Sequence, residues 1–271
     1  FKHLLGIDCD PAAIQTAASR LPTGLFRADD ALRFLADIAA GREDARIDGV
    51  IANPPWGADI SLDRGALHDL GYRTIGGQVD SWDLFVEGIL RAARPDAAVV
   101  LILPDAILLP EHRPIREMLV TMTELKLVAR LGEGFFQGVF RGTVVLALLN
   151  RPPTESGAVA CVRVPAEKRR RILAGEETIA SVVQDLMHLV PQSRFSEDPG
   201  FRLDIDARAA DQRTLSIIDR ESFAWDKWLE TGRGIEISKF GRVSRCPACG
   251  FAKPLPRATT ALRCTACGHE W

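Results

Sequence analysis

The chain has 271 residues, 46% of them hydrophobic and 26% charged, with a formal net charge of −2. That composition suits a globular protein with one large domain and a smaller one, and it excludes collagenous, disordered or globally basic chains. No apolar run reaches membrane-spanning length and no signal peptide opens the sequence, so a cytoplasmic protein without a membrane partner is expected.

Because it begins at Phe1 rather than Met, and enters a strand almost at once, the chain is expected to be part of a longer protein or to lack its first element. Leu4 to Asp8 reads as a buried strand ending in a carboxylate. Asp10 and Pro11 then form a helix start, an N-cap residue followed by proline at the first helical position. A second unit runs from Leu25 through Asp29 and Asp30 into a helix over residues 31–40. Gly49-Val50-Ile51 is the next strand. After a polar, glycine-rich loop, residues 82–93 have helical periodicity and lead into the apolar strand 98–103. A helix over 114–123 and strands over 126–131 and 143–149 follow. Strands alternating with helices predict a parallel, doubly wound α/β sheet.

The stretch Ala52-Asn53-Pro54-Pro55-Trp56-Gly57 is the centre of the chain's chemistry. Two prolines fix φ and remove two backbone donors, so the strand cannot continue past Ile51. What remains is a stiff turn at the carboxyl end of a strand, presenting one amide and one large aromatic, on the edge where open α/β sheets bind ligands. A plain proline-rich loop would need neither flanking residue. Asp8 and Asp29 also follow strands. A carboxylate there can accept hydrogen bonds from a nucleoside cofactor's ribose or adenine amino group, although each taken alone is more often a helix cap.

Gly6-Ile7-Asp8-Cys9-Asp10-Pro11, Ala28-Asp29, Asn53-Pro54-Pro55-Trp56 and Gly132-Glu133-Gly134-Phe135-Phe136 resemble, in this order, the motifs of the amino-methyltransferases that act on adenine in DNA. The arrangement is most similar to the gamma class of type I modification subunits and fused type IIG enzymes. The resemblance spans residues 1–150, with weaker similarity over 225–243. It implies a Rossmann-like S-adenosylmethionine-dependent sheet. Asp8 would hold the cofactor's ribose, Cys9 would pack near its adenine and Asp29 would bind the adenine amino group. Asn53 and the Pro54 carbonyl, on the turn that Pro55 stiffens, would accept hydrogen bonds from the target amino group. Trp56 would stack on the flipped base, with Phe135 on its other side. The motif suits methyl transfer to any planar amino or amide nitrogen, so RNA and protein glutamine remain alternatives to DNA. The family's glycine-rich cofactor loop and the strand before it have no counterpart before Leu4, so the first strand of the sheet is expected to be missing. An upstream segment or another chain would supply it; otherwise the chain is a catalytically incomplete, DNA-binding scaffold.

Asn150-Arg151-Pro152-Pro153 is expected to end the sheet, giving a catalytic domain over 1–151, a helical or linker region over 152–231 and a recognition segment over 232–271. Residues 166–190 and 222–230 read as helical, and Lys168 to Arg171 reads as a solvated face, ahead of the alternative that Arg169-Arg170-Arg171 touch phosphate. Gly232 to Glu236 resembles the start of a type IIG-like recognition region. Cys246-Pro247-Ala248-Cys249-Gly250 and Cys264-Thr265-Ala266-Cys267-Gly268 are two knuckles fourteen residues apart, the spacing of a four-cysteine zinc ribbon. Four thiolates fill a tetrahedral zinc, so the ion is expected to be structural. Residues 232–271 carry seven basic and two acidic side chains, +5 in a chain of −2, which suits contact with double-stranded DNA. The expected function is adenine-N6 DNA methylation in a restriction-modification or phage-defence system, with other subunits as partners.

Overall fold

The computed structural model describes residues 4–76, 79–136, 141–221, 243–254 and 262–271. By their contacts they divide into two compact units, Phe1–Thr214 and Leu215–Trp271. No helix among the described residues is long and apolar enough to cross a membrane. The expected helix over 222–230 and the motif at 232–236 lie outside the described residues.

The first unit opens with β1 (Leu5–Asp8), α1 (Pro11–Arg20), β2 (Leu25–Ala28) and α2 (Ala31–Ala39). Asp10 caps α1 by accepting the Ala12 amide at 2.8 Å, with Pro11 in the first turn. Asp30 caps α2 through the amides of Leu32 and Arg33. β1 and β2 pair in parallel as a two-stranded sheet of their own. The expected burial of β1 is not observed: Leu4 and Leu5 are 46% and 39% exposed, because β2 is the sole strand hydrogen-bonded to β1 among the described residues.

β3 (Ile47–Ala52), α3 (Arg64–Asp69), α4 (Ser81–Ala92), β4 (Ala93–Pro104), α5 (Arg113–Met122), β5 (Glu124–Gly132) and β6 (Thr143–Leu149) follow. The expected strands and helices of this stretch are present within a few residues. The sheet is mixed rather than all parallel. β3 and β4 are parallel, but β6 inserts antiparallel between β4 and β5. The reason is length. A parallel crossover takes a dozen or more residues and usually a helix, and Gly132 and Thr143 are too close in sequence for one.

Asn150–Pro153 is a turn, not the end of the sheet. β7 (Ala158–Arg163) lies parallel to the outer edge of β5, and β8 (His188–Pro191) pairs antiparallel to β7. The prolines fall in the connection, where no ladder donor is needed. The six-stranded order is therefore β3-β4-β6-β5-β7-β8. Between β7 and β8, the expected long helix is two, α6 (Ala166–Leu173) and α7 (Ile179–Leu186), broken where Gly175 adopts φ 76°. Short α8 (Ser193–Glu197) and α9 (Ala209–Glu221) complete this part of the chain.

The core follows strand alternation. Val99, Leu101 and Leu103 of β4 are fully buried, as are Val144 and Leu146 of β6; each contributes about 2 kcal/mol by leaving water. α4 is buried over most of its surface and meets α2. It carries a fully buried carboxylate: Glu87 accepts the amides of Arg73 and Thr74 and the Thr74 hydroxyl, fixing the loop before α4. In the second unit, β9 (Val243–Arg245) and β10 (Ala252–Pro254) form an antiparallel hairpin beside the cysteine knuckles.

Candidate active site

At the carboxyl end of β3, Asn53 is exposed, Pro54 buried, Pro55 exposed and Trp56 half-buried against the main core. The Asn53 amide side chain makes no hydrogen bond among the described residues. The turn is clamped by the start of α4. Asp80 Oδ1 accepts the Gly57 amide at 2.7 Å, Ser81 Oγ accepts the Ala58 amide at 3.1 Å, and the Ser81 hydroxyl donates to the Pro55 carbonyl at 2.6 Å. Gly57 has φ 69°, a left-handed conformation that favours glycine. A Cβ there would also stand 3.7 Å from the Arg141 guanidinium, which reaches Asp80 Oδ2 at 3.5 Å. Ser81 takes the Pro55 carbonyl, while the Pro54 carbonyl has no such partner among the described residues. Behind the clamp, buried Asp83 lies 2.9 Å from His112 Nδ1, and that ring packs on Trp82.

Trp56 meets Phe136 edge-on, with centroids 5.5 Å apart at 78°. Phe135, the expected second wall, instead packs against the cluster of Ala129, Leu131, Val162, Val164 and Val182. Gly132 and Gly134 both have positive φ, 88° and 92°, and this tight path sends consecutive aromatic rings to different neighbours. Sequence reasoning assigns no role to Asp80 or Ser81, and none to Phe136 within its motif. A serine and an aspartate before a helix read as ordinary caps, and adjacent phenylalanines cannot be assigned faces without the turn. The indole Nε1 of Trp56 is buried without a hydrogen-bond partner.

Asp8 and Asp29 lie at neighbouring strand ends, where the Asp29 amide donates to the Asp8 carbonyl at 3.0 Å. Neither caps a helix; Asp10 and Asp30 do that. Asp8 Oδ1 accepts the Asp10 amide at 2.8 Å. Asp29 accepts the Asp30 amide through Oδ1 and faces Arg27 Nε at 2.8 Å through Oδ2. Cys9 is exposed beside them. The loop leaving the Asn53 turn returns to this corner, where the Ser61 hydroxyl donates to Asp30 Oδ2 at 2.9 Å. That bond ties the loop after Asn53 to the N-cap of α2, one residue beyond Asp29.

In the second unit the Sγ atoms of Cys246, Cys249, Cys264 and Cys267 lie within 4.8 Å of one another. The pairs Cys246–Cys267 and Cys249–Cys264 are 3.7 and 3.6 Å apart. That is too long for a disulfide and close to the edge of a tetrahedron of ~2.3 Å zinc–sulfur bonds. Gly250 and Gly268 have φ 75° and return their amides to Cys246 and Cys264. The set is able to hold a metal ion.

The sequence matches no protein-family model and no curated protein. Solved structures do match in three dimensions. A protein assigned as the modification subunit of a type I restriction enzyme from Vibrio vulnificus YJ016 superposes with a TM-score of 0.54 at 16% identity, over 78% of this chain and 49% of that one. A structure of a type I restriction-modification system gives 0.53 at 14% identity, over 80% and 51%. The methyltransferase subunit of such a system from Streptococcus thermophilus gives 0.51 at 17% identity, over 74% and 47%. The chain shares the fold of these three structures. It spans about half the length of these three proteins.

Proposed function

We propose that this chain belongs to an adenine-N6 DNA methyltransferase of a restriction-modification or phage-defence system. The observation that carries the reading is the exposed, unpartnered Asn53 amide, held on a turn that Asp80 and Ser81 clamp and that Trp56 and Phe136 flank. The amino nitrogen of adenine is a weak nucleophile because its lone pair is delocalised into the ring. Asn53 Oδ1 and the Pro54 carbonyl accept its two hydrogens, draw it towards tetrahedral geometry and stabilise the positive charge that develops. The extra proton on the nitrogen then leaves to solvent, so no titrating base is required. S-adenosylmethionine, when bound, supplies an activated methyl group. Asp8 holds its ribose, Asp29 its adenine amino group and Cys9 its ring, while Trp56 replaces the stacking lost when the base flips, about 1–3 kcal/mol. The four-cysteine set holds a structural zinc, and the +5 charge of residues 232–271 suits contact with the DNA backbone.

Transfer of labelled methyl groups to duplex DNA by the full-length protein tests this. Asn53→Ala should lower the rate at least 100-fold with cofactor affinity retained; an unchanged rate would discard the mechanism. One observation favours a second reading, a scaffold subunit that binds DNA without modifying it. Among the described residues the outer edge of β3 pairs with no further strand and Ile51 is 84% exposed. Calorimetry with S-adenosylmethionine separates the two, since a scaffold shows no affinity.

A further inference from the structure

A cavity of about 270 Å³ opens at the carboxyl ends of β5 and β7, walled by Arg130, Gly132, Glu133, Arg163 and Arg169 and by the first turn of α6. The three guanidinium groups differ in what they already hold. Arg163 is spent on Asp206, which takes its Nε at 2.6 Å and its second nitrogen through the other oxygen. Arg130 gives one nitrogen to Asp105 at 2.8 Å, but its Nε is buried with no hydrogen-bond partner. Arg169 has no side-chain partner among the described residues, although its neighbours Lys168 and Arg171 both pair with Glu177. Its guanidinium lies against Gly132, where a Cβ would stand 2.3 Å from one nitrogen.

α6 begins at Ala166 after Pro165, which offers no side-chain cap, so first-turn amides are left seeking an acceptor. Unpaired donors thus converge from a strand end, a helix turn and a long cation. With Asp105, Asp206 and Glu133 at hand, the formal charge around the cavity is balanced. Asp105 and Asp206 are already engaged by Arg130 and Arg163, which leaves Arg169 as the cation whose donors are unmet among the described residues. A phosphate group has acceptors on every side and suits the planar fork of arginine.

The position matters as much as the chemistry. Phe136, which touches Trp56, is four residues beyond Gly132. That is at most about 14 Å of backbone, the rise of about four nucleotides of one B-form strand. The geometry points to a binding site for a backbone phosphate of the nucleic acid strand whose base enters at Trp56, with Arg169 as its principal ligand and Arg130 Nε and the α6 amides as supports. The proposal rests on the DNA-modifying reading for its choice of ligand.

Two measurements test it. The affinity of the full-length protein for a fluorescent DNA duplex is followed by anisotropy against salt. Arg169→Gln should lower the slope of log K on log salt by about one and weaken binding several-fold at low salt, whereas Arg170→Gln on the exposed face of α6 should change it far less. Equal slopes in the parent and Arg169→Gln, or an equal loss in Arg170→Gln, would overturn the proposal. Separately, inorganic phosphate should shift the Arg169 side-chain nitrogen resonance; no shift overturns the anion site itself, and a shift without a DNA slope change assigns it to a free phosphate compound and overturns the DNA assignment. Both readouts are binding, so they stand or fall apart from methyl transfer: Asn53→Ala should leave the slope unchanged even if its methylation result sinks the enzyme reading.

Discussion

Asp80 Oδ1 accepts the amide hydrogen of Gly57 at 2.7 Å, across 23 residues of sequence. It joins the rigid turn at the end of β3 to the N-cap of α4, the most buried helix among the described residues. The carboxylate therefore positions Asn53 without being placed to touch a substrate. Asp80→Ala should loosen the turn and lower methyl transfer about 100-fold, the scale of a 1 Å misplacement, with the loss in kcat rather than in KM for the cofactor. Asp80→Asn keeps an acceptor and should restore most of the rate. Steady-state kinetics of the two variants checks this; equal rates in Asp80→Ala and the parent would mean that the turn holds itself.

Gln192 is 1% exposed and binds three backbone groups. Its Oε1 accepts the Leu125 amide at 2.9 Å, and its Nε2 donates to the carbonyls of Val120 and Thr123 at 2.9 and 2.6 Å. One side chain from beyond β8 thus fixes the junction of α5 and β5. Gln192→Ala leaves these groups buried and unpaired, and a loss of about 3 kcal/mol in urea unfolding is expected. Gln192→Glu should be worse, since a carboxylate would face two carbonyls. A change below 1 kcal/mol in both would show that water replaces the amide.

Glu124 sits between Lys126 and Arg151, whose hydrogen bonds hold its carboxyl below the usual carboxylate range, against the opposing effect of burial. The folded-state value is depressed, so the group's contribution to stability is complete above the unfolded value of about 4.3. It is lost as pH falls through the lower folded value. Urea titrations of the parent and Glu124→Gln between pH 3 and 7 should show a stability gap that narrows on the acid side of pH 4. A gap independent of pH would exclude the ion pairs as its origin.

The six cysteines should separate by reactivity. Cys9 is exposed; Cys161 is buried in β7, and burial pushes its thiol up to about 12. With zinc on the four-cysteine set, alkylation of the native protein should label Cys9 alone. A strong chelator should release one zinc per chain and expose four more thiols, and Cys161 should react on unfolding. Mass spectrometry counts the labels. Labelling of Cys246, Cys249, Cys264 and Cys267 before chelation would exclude a bound metal there.

Much of this molecule is written in local sequence. Asp10-Pro11 specifies a helix start that needs no tertiary partner, the run Val99-Val100-Leu101-Ile102-Leu103 can satisfy its side chains only in a buried sheet, and two C-x-x-C knuckles bring four thiols together by turn geometry. Asn53-Pro54-Pro55-Trp56 likewise announces a stiff turn with an amide, because proline acts through its own covalent ring. Other features depend on residues far apart in the chain. Strand order and the continuation of the sheet through β7 and β8 follow from which apolar faces can cover one another. The same holds within the site. Asp80 and Ser81 clamp a turn 23 to 26 residues away, and Phe136 rather than Phe135 reaches Trp56 because two glycines at positive φ set the direction of the chain. Sequence alone determined the chemistry available at the rim, since that resides in side-chain type and turn propensity. Tertiary structure alone decided which groups are free to use it, since a hydrogen bond from a distant residue removes an atom from service and leaves no mark on its neighbours in sequence.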